Sequence, residues 1–176
     1  MFYIQTEQNT TLHKGEEGRP KDYPTLDDYS ELLFFIQRNQ NINTVVYEVN
    51  LLPGGILNLS DPISIYWVYY DDKMEKTIKQ LNYIQKKLAY GYHHTVISSE
   101  LVEFRFVSYD QMVFYLAKDK QNRFRVFTKF ADKNIELSMM YIFAEDLGVF
   151  PQVKFVEFFG TENTSNNVFY QKLILP

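Results

Sequence analysis

The chain contains no cysteine in its 176 residues. That removes disulfide frameworks, cysteine–zinc sites and thiol chemistry in one step. A chain of this length buries roughly 70% of the surface its unfolded form exposes, so it needs no such staple. Strong charge of either sign is also missing. Eighteen Lys and Arg stand against 22 Asp and Glu, a net charge of −4. This argues against bulk attraction to nucleic acid or to an anionic membrane. Long hydrophobic runs are absent too. The runs at 63–70 and 155–159 fall far short of the ~20 residues a transmembrane helix needs. The start, Met1-Phe-Tyr-Ile-Gln-Thr-Glu7, lacks a basic segment followed by an apolar one, so no signal peptide is visible. The chain therefore reads as cytoplasmic, or as a periplasmic or exported chain whose leader has been removed.

Local catalytic signatures are equally scarce. Ser98-Ser99-Glu100 has no flanking glycines and is not a nucleophile elbow. Gly54-Gly55 follows Pro53 without a phosphate-loop Lys or a second glycine spacing, and reads as a tight turn. His93 and His94 are neighbours, so in a strand they point to opposite faces and cannot share a metal. No histidine pair stands at helical spacing. No metal and no cofactor is expected, and the balance leans away from an enzyme.

What the chain has is aromatic rings: 14 Tyr, 15 Phe and one Trp. They lie largely in alternating runs of strand type. Strands are expected at 32–38, 44–50, 63–70, 95–97, 101–107, 112–118, 123–130, 134–143, 153–159 and 168–175. In 134–143, alternation puts Ile135, Leu137, Met139, Tyr141 and Phe143 on one face. One segment changes period. Met74, Ile78, Leu81, Ile84 and Leu88 recur at three and four residues, which predicts an amphipathic helix over 73–90. Asp72 and Glu75 would form its capping box and Gly91 its stop. Five lysines (Lys73, Lys76, Lys79, Lys86 and Lys87) sit on its other face.

The expected architecture is mainly β. About nine strands and one helix form an antiparallel barrel or sandwich. Residues 1–31 form a mostly irregular arm and 32–176 a single β-rich domain. Phe2-Tyr-Ile-Gln-Thr-Glu-Gln-Asn9 matches Phe34-Phe-Ile-Gln-Arg-Asn-Gln-Asn41 at five of eight positions. That similarity is either fortuitous or a sign that one segment pairs beside the other, including across two copies through edge strands.

Four segments taken together carry a resemblance. They are Leu33-Phe-Phe-Ile-Gln-Arg38, Asn43-Thr-Val-Val-Tyr-Glu48, Asp61-Pro-Ile-Ser-Ile-Tyr-Trp67 and Tyr83-Ile-Gln-Lys-Lys-Leu-Ala-Tyr-Gly91. In that order, from about Leu33 to Gly160, the chain resembles a bacterial family known only as a domain of unknown function. The resemblance brings no activity with it. It implies a setting, since members often look exported behind a signal or a lipid anchor.

Three readings of function follow. In the first, a non-enzymatic binding domain holds an apolar small ligand or a partner protein. Tyr66, Trp67, Tyr69, Tyr90 and Tyr92 form its rim, because Tyr and Trp suit a surface dry at one end and wet at the other. In the second, a hydrolase of cell-wall or sugar substrates uses Glu157 or Glu103 with His94, which requires these groups to converge in one cleft. Glu157 shares a strand face with Phe155 and Phe159, so it points inward and needs a partner such as Arg105, Arg125 or Lys154. In the third, the basic hairpin 118–133 holds single-stranded nucleic acid. There Lys118, Lys120, Arg123, Arg125, Lys129 and Lys133 alternate with Phe124, Phe127 and Phe130. Only Phe127 shares a face with Arg125 and Lys129, and the acidic balance weighs against this reading.

Overall fold

The computed structural model describes residues 17–146 and 151–176. The segment Phe2 to Asn9 and His13 lie outside the described residues. The elements are β1 (Leu32–Arg38), β2 (Asn41–Val49), β3 (Leu51–Leu52), β4 (Ile56–Leu57), β5 (Ile63–Tyr70) and β6 (Lys76–Gln80). A short helix α1 (Tyr83–Gln85) continues as a wider π-type turn (Lys86–Tyr90). Then come β7 (Tyr92–Ser98), β8 (Leu101–Phe106), β9 (Tyr109–Lys118), β10 (Phe124–Phe130), β11 (Lys133–Glu145), β12 (Gln152–Glu162) and β13 (Val168–Ile174). The strands expected at 32–38 and 63–70 have those same ends.

The helix expected over 73–90 is reduced to residues 83–90. The Asp71 carboxylate accepts from the backbone N–H groups of Lys73 and Glu75 at 2.9 and 2.8 Å. This closes a tight loop with Met74 at φ +62°, where a helix cannot pass. Lys76–Gln80 then pairs with β5 as an edge strand, Tyr66 opposite Gln80 and Tyr70 opposite Lys76. All five of its side chains are exposed, so no buried face imprints a period of two on the sequence. The spacing of Met74 and Ile78 imitated a helix, and tertiary pairing overrode it. The working capping box is Asn82 with Gln85 rather than Asp72 with Glu75.

The sheet is mixed and open, where a purely antiparallel, closed barrel was one expectation. Its strand order is β6-β5-β2-β1-β11-β10-β9-β8-β7, with β12 and β13 added beside β11. The β1–β11 pair is parallel. β11 is a branch point. One of its edges carries β10 near its start and β1 further along, and the other carries β12 along most of its length. Two arms, β1-β2-β5-β6 and β10-β9-β8-β7, leave this branch and curl face to face. Phe34 stacks on Tyr47 at 4.3 Å, and Phe106 meets both edge-on at 6.1 and 5.8 Å. The arms do not join by a strand ladder at their far ends. Instead the Tyr92 hydroxyl accepts from the Ile63 N–H at 2.9 Å and donates to Asp61 or to the Ile63 carbonyl, each at 3.2 Å.

Two bulges set which side chains look inward. Leu137 pairs with Gly160 but Met139 pairs with Phe159, so Ser138 is an extra residue in β11. Leu137 therefore shares the main core with Met140, while Met139, Tyr141 and Phe143 face the other way. This corrects the single face expected for Ile135 to Phe143. In β12, Lys154 is the extra residue between Phe155, opposite Phe143, and Val153, opposite Ala144. It turns Val153 to the inner side with Val156 and Phe158.

The outer face of β1, β11 and β12 is covered by residues 17–31. This segment is irregular, as expected, yet Gly18, Pro20 and Tyr23 are buried in it. Tyr23 packs with Tyr141, Phe143 and Phe155. The Arg19 Nε donates to Gln37 at 2.8 Å, and its Nη2 donates to the Tyr23 and Pro24 carbonyls at 3.0 Å. Gln37, itself buried, donates to the Pro24 carbonyl and to Thr44. Buried polar groups are thus satisfied rather than abandoned. Gly18 lies at φ +132°, and a Cβ there would fall 2.7 Å from the Glu157 Oε1. Gly18→Ala is expected to destabilise the fold by about 1–3 kcal/mol through that backbone strain and clash. Urea unfolding measures it, and an unchanged midpoint would show that the segment is not seated on Glu157.

Candidate functional site

The segment 83–90 stands between two depressions. One, of about 550 Å³, lies between the arm ends and is lined by Asp61, Tyr83, Lys86, Lys87, Tyr92 and His94 among others. The other, of about 510 Å³, is apolar. Its floor is the inner face of β1, β11, β12 and β13: Ile36, Met140, Ile142, Val156, Phe158 and Leu173. Its far wall is Phe106, Met112 and Phe114 from β8 and β9, and Ile84 and Leu88 overhang it. These floor side chains converge because the registers Ile36–Met140, Met140–Phe158 and Ile142–Val156 put them on one face.

The helical segment is fixed at both ends. At its start, Asn82 Oδ1 accepts from the Gln85 N–H at 2.8 Å, and Gln85 Oε1 accepts from the Asn82 N–H at 3.1 Å. Gln85 Oε1 also accepts from the Trp67 indole at 3.3 Å. At its end, the fully buried Tyr47 donates to the Tyr90 carbonyl at 2.8 Å, satisfying a group the helix leaves open. Gly91 follows because a Cβ there would meet the Lys86 carbonyl oxygen at 1.9 Å. Between these anchors no side chain of the segment is buried. Ile84 is 65% exposed and Leu88 58%. Covering a large apolar side chain fully is worth roughly 1.5–3 kcal/mol, so this overhang forgoes ordinary packing.

One charge sits on the cavity wall. Arg38, at the end of β1, lies 3.9 Å from the Asp146 carboxylate, which is itself 70% exposed. Burial pushes the Tyr90 hydroxyl above its ordinary range. The positive charge of the Arg38 guanidinium partly offsets that rise.

The five aromatic residues expected as a rim are divided by strand alternation. Trp67 is buried, 5.7 Å from Tyr69 and 5.3 Å from Tyr90, and Tyr90 lines the apolar cavity. Tyr92 lines the polar depression and holds the arm ends together. Tyr66 faces the opposite side of β5, where its hydroxyl donates to Glu48 at 2.6 Å beside Tyr29, which also bonds Glu48. Sequence reasoning missed Arg38, Ile142 and Leu173. They come from three strands, and no sequence spacing signals that meeting.

His94, Glu103 and Glu157 are not brought together. His94 Nε2 lies 3.1 Å from the Leu59 carbonyl. Glu103 is opposite Thr95, on the other face of the sheet from His94, and pairs with Arg105 at 3.4 Å. Glu157 is buried on the outer face, where its partners are the Arg19 N–H at 2.8 Å, the Tyr170 hydroxyl at 2.6 Å and Lys172 at 4.0 Å. The charges of the hairpin are largely engaged. Lys118 pairs with Glu100, Arg123 with Asp119 and Asp28, and Lys133 with Glu162. Arg125 is buried against Asp28 and Glu136, and Phe127 is buried. Among the described residues, no group of three or more acidic or histidine side chains is placed to hold a metal. No helix there is long and apolar enough to cross a membrane.

The family described as "Domain of unknown function (DUF4833)" matches residues 34–172. No curated protein and no solved structure matches the chain.

Burial and the bond to Glu48 raise the Tyr66 hydroxyl to about 12, against about 10 for a free phenol. The folded chain therefore keeps Tyr66 neutral where the unfolded chain would ionise it. Its contribution is whole below pH 10 and is lost as pH rises through 12. In a spectrophotometric phenolate titration, Glu48→Gln is expected to bring a late-ionising tyrosine to lower pH. An unchanged titration curve contradicts the assignment.

Proposed function

Because this chain belongs to the DUF4833 family, whose description assigns no activity, its role has to be read from its own cavity, and we propose that it is a non-enzymatic protein that binds one apolar small molecule there. One observation carries this reading. A helical segment anchored at both ends holds Ile84 and Leu88, each more than half exposed, over an apolar cavity of about 510 Å³. That volume lies within the ~300–1,000 Å³ of small-molecule pockets. An apolar occupant would cover Ile84 and Leu88, which the described residues leave exposed above a floor whose Ile36, Met140, Val156 and Phe158 are already buried.

Tyr90 contributes to this site directly. Trp67 supports it from behind, and Tyr69 through Trp67. Tyr66 and Tyr92 have other partners, so the aromatic rim contracts to its inner members. The hydrolase reading lacks support because His94, Glu103 and Glu157 occupy separate environments. The nucleic-acid reading lacks it because Lys118, Arg123, Arg125 and Lys133 are ion-paired and Phe127 is buried.

The neutral dye N-phenyl-1-naphthylamine is the probe. It should brighten on addition of the protein, and dodecanoic acid should displace it. Leu173→Phe and Val156→Phe fill the cavity from two strands and should weaken dye binding about tenfold or more, the effect of losing ~1.4 kcal/mol. Circular dichroism identifies which variant keeps the fold. No dye binding, or undiminished binding in a folded filled variant, would overturn the proposal.

A further inference from the structure

We infer that the occupant of the apolar cavity is an amphiphile with a single carboxylate head, received by Arg38 and Tyr90. This rests on the reading of the cavity as a binding site and adds the chemical class of its ligand. The cavity is apolar on its floor and far wall, but its lining is not uniform. Arg38 belongs to the same strand face as Ile36 and faces the cavity beside Ile142. The Arg38 side chain is 31% exposed, so water satisfies its charge in part and an anion entering the cavity could satisfy the remainder.

Its present counter-charge is poor. Asp146 is the carboxylate within ion-pair reach of Arg38 among the described residues, at 3.9 Å, and it is 70% exposed. Exposed pairs of that geometry hold weakly. Tyr90 lines the same cavity as Arg38, and the guanidinium charge is felt at its hydroxyl. Arg38 and Tyr90 thus place a planar, permanently charged fork and a phenol side by side. A phenol is protonated at neutral pH, so the Tyr90 hydroxyl is a donor there. A carboxylate accepts two parallel bonds from such a fork.

The charge count selects the head group. A phosphate monoester would call for more positive charge than one arginine. Lys86 and Lys87 line the other depression, across the helical segment. Neutral heads would leave Arg38 without the anion its position favours. The tail has its own place: Met140, Ile142 and Leu173 below, and Ile84 and Leu88 above. Head and tail sites are continuous, which is the form of a long-chain monocarboxylate.

Dodecanoic acid, methyl dodecanoate and 1-dodecanol share a tail and differ in head. Each competes with N-phenyl-1-naphthylamine at neutral pH. The acid is expected to bind at least about tenfold tighter than the ester or the alcohol, the scale of one charge-assisted contact. Arg38→Gln should erase that preference while leaving ester and dye binding in place. Asp146→Asn, which removes the competing carboxylate, should tighten the acid alone. Equal affinities for the three in the native chain would overturn the inference and leave the apolar site standing. So would a preference that survives Arg38→Gln. If none of the three displaces the dye, the apolar site itself falls and this inference with it.

Discussion

Everything in this fold hangs on the pairing of β11. One edge of this strand is shared by two others, antiparallel β10 near its start and parallel β1 further along. Two strands cannot occupy the same edge without their sheets diverging from it. The two arms therefore leave at an angle, and each twists toward the other as strands do. Where they meet, Phe34, Tyr47, Phe104, Phe106 and Phe114 interlock. Where they part, beyond Met140 and Phe106, nothing from either arm fills the gap. The core and the cavity have one cause.

The two faces of the β1–β11–β12 layer are treated differently. The outer face is closed by residues 17–31, with Arg19, Gln37 and Glu157 bonded into a satisfied network. The inner face is apolar; part of it packs into the main core with Phe106 and Phe114, and residues 83–90 overhang the rest. A buried carboxylate on the outer face is thus a device of structure, whereas a cation on the inner wall has no comparable network. This asymmetry is why the proposed carboxylate site is placed at Arg38 rather than at Glu157.

Strand positions were legible because the apolar run at 32–38 and the β-type residues at 44–50 and 63–70 belong to strands buried on both faces. Phe104, Phe114, Phe143 and Phe155 are buried packing, and Trp67 and Tyr90 stand beside the cavity. The errors have physical sources. β6 has no buried face and so no period to read. Ser138 and Lys154 are bulge residues that reverse the faces of their strands, and a bulge has no signature in the alternation it interrupts. The parallel β1–β11 pair joins segments about a hundred residues apart, and only tertiary structure brings Arg38 to the cavity wall. Ile84 and Leu88 were recognised as an apolar stripe, but a stripe reads the same whether it packs on a sheet or overhangs a cavity.

If the cavity is a binding site, residues 83–90 are complete only with an occupant beneath them. Amide hydrogen exchange, with and without dodecanoic acid, tests this most directly, since exchange reports local opening. Binding should slow exchange in residues 83–90 and leave residues 17–31 on the opposite face unchanged. Dodecanoic acid that binds yet leaves exchange in 83–90 unaltered, or protects 17–31 instead, would contradict it.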